Sequence, residues 1–270
     1  MALITKITTQ KKNSDRFNVF IDHGNGEEFG FSVDTDILIK YKLKKGLEIN
    51  TEELSSVLYD DDIKKGFNKA LKFLSFRMRS EKEVNDYLKK NEYEENVIQE
   101  VIKRLKEYNY LDDAEFARMF VRTRKNTTSK GTGVIARELV QKGISSGHME
   151  AALKEFPYEE QVESAIKFAA KKSTQSKGIS NNERKNKISQ KLLQKGYSWE
   201  VVEEAVRTVD LESSDEEERE ALLKHANKAH RRYKKFSGVQ YKNKMKQHLY
   251  SKGFPVGMID ELLESGLTDQ

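Results

Sequence analysis

Apolar and polar positions follow two different rhythms in the two parts of this chain. Over the first sixty or so residues, three short stretches rich in β-branched and aromatic side chains, at 3–10, 17–22 and 28–33, read as strands. Gly24-Asn25-Gly26 stands between the second and third as a hairpin turn would. The pattern then predicts a short helix over 34–41 capped by Asp34 or Thr35, a turn at Lys44-Lys45-Gly46, and another helix starting at Thr51-Glu52-Glu53-Leu54. A unit of about sixty residues buries only a marginal core, so it is expected to pack on the neighbouring part of the chain.

After Ile63 the period becomes helical and the pattern repeats at long range. Four stretches, 84–102, 135–153, 188–206 and 245–263, each begin with an apolar residue and carry Leu at +4: Leu88, Leu139, Leu192 and Leu249. A bulky residue stands at +9 (Tyr93, Ile144, Tyr197, Phe254), preceded at +8 by Gly143, Gly196 and Gly253, with Glu92 the exception. Apolar residues return at +14 (Ile98, Met149, Val202, Ile259) and in pairs at +17 and +18. Such spacing describes a helix ended by a C′ glycine, a short link whose bulky residue folds back, and a second helix with its apolar face inward. Another amphipathic helix precedes each hairpin, at 67–76, 115–124, 161–171 and 217–233, so the repeat is three helices long. One such unit cannot bury its apolar face alone, and stacked neighbours complete the core.

The expected fold class is therefore mainly α: tandem three-helix repeats in an elongated curved array, with a small N-terminal β-rich unit. The expected bounds are 1–62 for that unit and 63–270 for the helical domain, with repeats at about 63–113, 114–156, 157–212 and 213–270.

Composition narrows the chemistry. The 270 residues include no cysteine, which excludes disulfides, thiolate catalysis and Cys-type zinc sites. Neither a membrane-spanning apolar run nor a signal pattern occurs, so a cytoplasmic protein without membrane contact is expected. The net charge of +5 is modest, but residues 1–62 carry 8 basic and 12 acidic groups, and the basic excess lies entirely after them. This shift sets the expected boundary near Asp60-Asp61-Asp62.

Basic residues recur at the end of each first helix and the entry to the second. Arg77, Arg79 and Lys82 mark the first repeat; Arg118, Arg122, Arg124, Lys125, Lys130 and Arg137 mark the second. The third has Lys171, Lys172, Lys177, Arg184, Lys185 and Lys187, and the fourth Arg231, Arg232, Lys234, Lys235, Lys242 and Lys244. Acids gather on the third helices and between repeats, as at Glu94-Glu95, Glu159-Glu160, Glu203-Glu204 and 215–218. Stacking would align the cations into a stripe that attracts a polyanion or a long acidic protein surface. Helix-dipole complementarity explains part of the pattern, but not the many cations in the polar loop at 171–187.

Candidate catalytic chemistry is sparse. Asp112-Asp113 reads better as a helix cap than as a catalytic or metal-binding pair. His23, His148, His225, His230 and His248 are scattered, without an i, i+4 pair on one helix. Gly131-Thr132-Gly133 precedes a helix and reads as a plain loop, with phosphate binding the alternative. Trp199, at the start of a third helix, reads as packing at a repeat joint before stacking on a base. No cofactor or metal is expected, and the chain reads as a binder with no enzymatic activity.

Several segments resemble the RecX regulators of the bacterial recombinase RecA: Ala70-Leu71-Lys72-Phe73-Leu74-Ser75-Phe76-Arg77-Met78-Arg79-Ser80 with Glu81-Lys82-Glu83-Val84 and Leu88, then Tyr110-Leu111-Asp112-Asp113 with Phe116-Ala117, then Glu138-Leu139-Val140-Gln141-Lys142-Gly143-Ile144. The likeness covers about 67–156, weakens toward the C-terminus, and leaves the first sixty residues outside the shared part. It implies a non-enzymatic regulator of recombination and DNA repair, and the chain is expected to be monomeric. Its partners would be the RecA filament and single-stranded DNA, the latter contacted directly or through RecA. The candidate contacts are Arg77, Arg79, Arg122, Arg124, Lys125, Lys130, Lys171, Lys172, Lys177, Arg184, Lys185, Lys187, Arg231, Arg232, Lys234 and Lys235. A single-stranded nucleic-acid binder acting without RecA, and a general helical-repeat adaptor, remain alternatives.

Overall fold

The structure, a computed structural model, describes residues 1–11, 13–175, 178–209 and 214–265. Lys177 lies outside the described residues. Strands β1 (Ala2–Gln10), β2 (Asn13–Asp22), β3 (Glu27–Asp34) and β4 (Glu48–Ile49) form an antiparallel sheet in the order β3-β2-β1-β4. Alternate side chains point one way, and Ile4, Val19, Ile21, Phe31 and Val33 are buried with Ile37 of α1 (Thr35–Lys40). The β2–β3 hairpin turns where expected because the Asp22 carboxylate accepts from the N–H groups of Gly24 and Gly26, at 2.6 and 3.0 Å.

The boundary expected at 60–62 falls inside a helix. Helix α2 (Thr51–Leu74) joins two predicted helices into one of 24 residues, started by an Asn50–Glu53 capping box. Val57 packs with the sheet core, whereas Ile63 and Ala70 pack with the first helical repeat. The acids of 60–62 are the fastening. Asp61, fully buried, accepts from Arg16 at 2.9 Å and from the Asp34 N–H at 2.8 Å, and pairs with Lys65 at 2.9 Å. Burial pushes its carboxyl up, but these partners outweigh burial and hold it below the usual aspartate value. Asp60 accepts from Tyr41 and Lys40. A charge shift in the sequence thus marks an attachment point rather than a linker.

The remaining helices are α3 (Glu81–Lys90), α4 (Glu95–Glu107), α5 (Asp113–Thr127), α6 (Thr132–Gln141), α7 (Ser146–Leu153), α8 (Tyr158–Ser173), α9 (Asn181–Gln194), α10 (Trp199–Thr208), α11 (Asp215–Tyr233), α12 (Gly238–Ser251) and α13 (Val256–Ser265). The chain divides into two compact units, 1–116 with 142–144, and 117–141 with 145–270.

The long-range sequence repeat has a local cause. In α9 the Gly196 N–H donates to the Leu193 carbonyl and the Tyr197 N–H to the Leu192 carbonyl, at 2.9 and 3.2 Å. In α12, Gly253 and Phe254 do the same to Tyr250 and Leu249, and in α3 Glu92 and Tyr93 to Lys89 and Leu88. This is the Schellman closure, in which the residue two past the cap covers the last buried residue of the helix. It explains the fixed Leu at +4 and bulky residue at +9: Leu88, Leu139, Leu192 and Leu249 are all fully buried. Gly143, Gly196 and Gly253 have φ of +80°, +87° and +83°; Glu92 takes the same left-handed conformation at +63°.

Candidate nucleic-acid and partner interface

Three of the four second helices, α3, α6 and α9, start at a residue that donates to the lysine carbonyl closing another second helix. The Ser80 hydroxyl donates to the Lys142 carbonyl at 2.8 Å, the Gly131 N–H to the Lys195 carbonyl at 2.8 Å, and the Ser180 hydroxyl to the Lys252 carbonyl at 2.7 Å. These are the Lys-Gly pairs that close α6, α9 and α12. A carbonyl left without an intrahelical donor at one helix end thereby finds one at another helix start, a serine hydroxyl twice and a backbone N–H once. A Cβ on Gly143 would lie 2.8 Å from Lys82 Cβ, and one on Gly253 would lie 2.7 Å from Ser180 Oγ. The +8 glycine therefore serves the turn and the contact together.

Side chains of the first helices reinforce these contacts. Asp112 caps its own helix, accepting from Ala114 and Glu115 N–H at 2.8 and 2.9 Å, while Asp113 accepts from the Glu81 N–H that opens α3, at 2.8 Å. Glu218, expected among the surface acids, is buried and accepts from the Asn181 N–H that opens α9, at 3.0 Å. Gly131-Thr132-Gly133 likewise sits on Gly196, with the Gly133 N–H 2.9 Å from its carbonyl. The Gly131 and Gly133 N–H groups are thus occupied by protein carbonyls.

The candidate cations fall into two groups. In the first, Arg77 pairs with Glu83, Arg122 with Glu155, Arg124 and Lys130 with Glu138, Lys125 with Glu160 and Lys187 with Glu183. Glu138, Glu155 and Glu160 come from outside the local basic run, which is why the run itself reads as uncompensated. Arg79 stacks on Phe73, 4.1 Å from the ring centroid. Arg184 is only 6% exposed and belongs to the body of α9. In the second group, Lys171, Arg231, Arg232, Lys234 and Lys235 are exposed, and among the described residues no carboxylate lies within ion-pair distance of them. Arg232 stands over Tyr233 and Lys235 over Phe236, which Lys244 approaches to 4.8 Å. Lys172 donates to the Gln175 side-chain oxygen at 2.8 Å, and Lys185 lines a groove with Trp199, Val202, Val206 and Arg207. Trp199 is 60% exposed there, so it opens α10 as expected but does not pack into a repeat joint.

Two lysines absent from the sequence-based set hold central places. Lys142 Nζ pairs with Glu83 at 2.8 Å. Burial alone would raise the Glu83 carboxyl, but Arg77, Lys142 and the Ser80 N–H pull it down to about 2. Lys195 Nζ stands 4.8 Å from the Phe168 ring centroid, and burial, then Lys130 and Lys172, lower its affinity for a proton. The signal that could have found both is the recurrent Lys before each +8 glycine: Lys142, Lys195 and Lys252.

No described helix is long and apolar enough to cross a membrane. Family models for the RecX regulatory protein match the chain in order: the N-terminal domain at residues 2–50, the first three-helix domain at 67–105, the second at 112–153, and the third at 159–206 and again at 215–263. The first match corrects the expectation that the sheet unit lies outside the shared part. Regulatory protein RecX of Bacillus subtilis (strain 168) is 44% identical over 264 residues, and that of Bacillus licheniformis is also 44% identical, each alignment covering 98% of this chain and 98% or more of the relative. A crystal structure of regulatory protein RecX aligns over 75% of this chain and 98% of its own with a TM-score of 0.65 at 32% identity; one from Lactobacillus salivarius covers 57% and 99%, with a TM-score of 0.54 at 37% identity. The chain therefore belongs to the RecX family of regulatory proteins, which are non-enzymatic regulators.

Proposed function

We propose that this protein binds the RecA recombinase filament on single-stranded DNA and inhibits its ATPase, strand-exchange and coprotease activities. The observation that carries the reading is full-length RecX kinship together with exposed cations in the third and fourth repeats, of which Lys171, Arg231, Arg232, Lys234 and Lys235 have no carboxylate partner among the described residues. A surface of this kind suits a long, negatively charged partner held by many modest contacts. The cations of the second repeat contribute less, because Glu138, Glu155 and Glu160 already neutralise them and a partner would have to displace those acids. The test adds the purified protein to RecA filaments and follows DNA-dependent ATP hydrolysis. Inhibition should weaken when Arg231, Arg232, Lys234 and Lys235 are replaced together by glutamate with helicity unchanged. Full inhibition by that variant removes this surface, and no effect of the parent protein on RecA removes the reading.

A further inference from the structure

Trp199 is the single tryptophan of the chain, and the fold makes little use of it. It opens α10 behind the Ser198 cap, whose hydroxyl accepts from the Val201 N–H at 3.4 Å. Further along the helix Val201, Val202 and Ala205 are buried, whereas the indole is 60% exposed. Among the described residues the indole makes no hydrogen bond and no ring contact, and no cation stands over it. The other three third helices open with Glu95, Ser146 and Val256, so closing the hairpin requires no aromatic residue at this position. Tryptophan buries most of its surface in an ordinary fold, and here that surface is left for something outside the chain.

The indole lines an open groove of about 750 Å³ between α9 and α10. Lys185, Asn186 and Ser189 line it from α9, and Glu203 and Arg207 from α10. Its other apolar walls are the small side chains of Val202, Val206 and Val209, the first of them buried. That is enough for the face of one planar ring and too little for the apolar side of a helix, which brings several large side chains at once. Two cations and one acid line the groove, and among the described residues no carboxylate lies within ion-pair distance of Arg207. The matching ligand is a flat ring on a negatively charged stem. From this geometry we propose that Trp199 is a stacking platform for an unpaired base of single-stranded DNA, with Arg207 and Lys185 beside it for the flanking phosphates. Every base has a π face, so the site tolerates any sequence, whereas a duplex keeps its bases stacked on each other and out of reach. The inference deepens the filament reading and takes the single strand as ligand from it.

The experiment uses the full-length protein without RecA, and the lone tryptophan reports its own occupancy. Its fluorescence is followed while a single-stranded oligonucleotide, or an abasic strand of the same length, is added. Affinity for a labelled oligonucleotide is measured by anisotropy against salt for the parent, Trp199→Phe, Trp199→Leu and Arg207→Gln. The strand with bases should quench the tryptophan and the abasic strand should not. Trp199→Leu should weaken binding about tenfold and Trp199→Phe less, both with unchanged helicity and an unchanged slope of log K against log salt, since stacking releases no counterions. Arg207→Gln should instead lower that slope by about 1. Binding without quenching, equal quenching by the abasic strand, or parental affinity in Trp199→Leu overturns the site, as does a parent protein that binds no strand. If Trp199→Leu loses inhibition of RecA while holding the oligonucleotide as the parent does, the groove belongs to the protein partner and the base site falls. A parent quenched by the oligonucleotide but without effect on RecA removes the filament reading and leaves this site in place.

Discussion

The joint at Lys142 and the joint at Lys195 have the same backbone contact and opposite electrostatics. In one, a serine hydroxyl and a capping glutamate receive the incoming Lys-Gly end, and the charge is closed within the protein. In the other, two glycines receive it, and burial, then the charges of Lys130 and Lys172, lower the lysine's affinity for a proton. A repeat can therefore keep its mechanical contact while changing what it offers to a ligand. The backbone part depends on glycine geometry; the charge part depends on one side chain at the third helical position.

The largest expected effect lies in the part the joints share. Gly196→Ala forces a side chain onto a left-handed residue and drives its Cβ into the Val134 backbone nitrogen. The conformational and steric costs together come to about 2–5 kcal/mol, read as a lowered urea midpoint with helical content preserved in the remaining folded fraction. Gly147→Ala, where an added Cβ meets nothing within 4 Å inside a helix, should instead stabilise by about 0.5–1 kcal/mol. Similar destabilisation by both would show that the cost at Gly196 is not specific to the joint.

Next comes the charge part of the closed joint. Glu83→Gln leaves Arg77 and Lys142 without their shared carboxylate and should cost about 1–3 kcal/mol at neutral pH. Because the folded carboxyl is held at about 2, below the ordinary glutamate value of 4.5, its contribution is complete above about 4.5 and is lost as the pH falls toward 2. Urea midpoints at pH 7 and pH 3 should therefore differ less in the variant than in the parent. Asp113→Ala tests the cap beside it and should cost about 1 kcal/mol, since the Glu81 N–H loses its acceptor.

The repeat was legible in the sequence because helix closure is a local event: the Leu, Gly and bulky residue of each hairpin are spaced by the Schellman geometry itself. The N-terminal strands were legible for a similar reason, their turn being fixed by Asp22 and its neighbouring glycines. What could not be read was anything set by distant pairing. The acids of 60–62 looked like a boundary because Arg16 and the Asp34 N–H, which bind Asp61, lie far away in sequence. Cations such as Arg122 looked free because Glu155 sits 33 positions on. Trp199 looked like a packing residue because most tryptophans are substantially buried, yet its own helix turns it outward. The candidate site was visible as a charge density, and its division into neutralised and open cations needed the fold.

The smallest expected effect separates the two joints most sharply. Lys142→Gln removes one hydrogen bond and one opposite charge from Glu83, and should cost about 1–2 kcal/mol in a urea melt. Lys195→Gln removes a cation whose proton affinity is already lowered by burial and by Lys130 and Lys172, while the glutamine stem still covers part of Phe168. The lost ring contact and the relieved repulsion have similar size and opposite sign, so stability should stay within about 0.5 kcal/mol of the parent. The sign of the repulsive part can be isolated. A lysine whose folded proton affinity is lowered destabilises the fold while protonated and ceases to do so as the pH rises through its folded value, so the parent should gain relative to Lys195→Gln on going from pH 7 to pH 10. An equal loss for both lysine variants, with no such convergence at high pH, would mean that Lys195 is as well compensated as Lys142 and that the second joint holds no open charge.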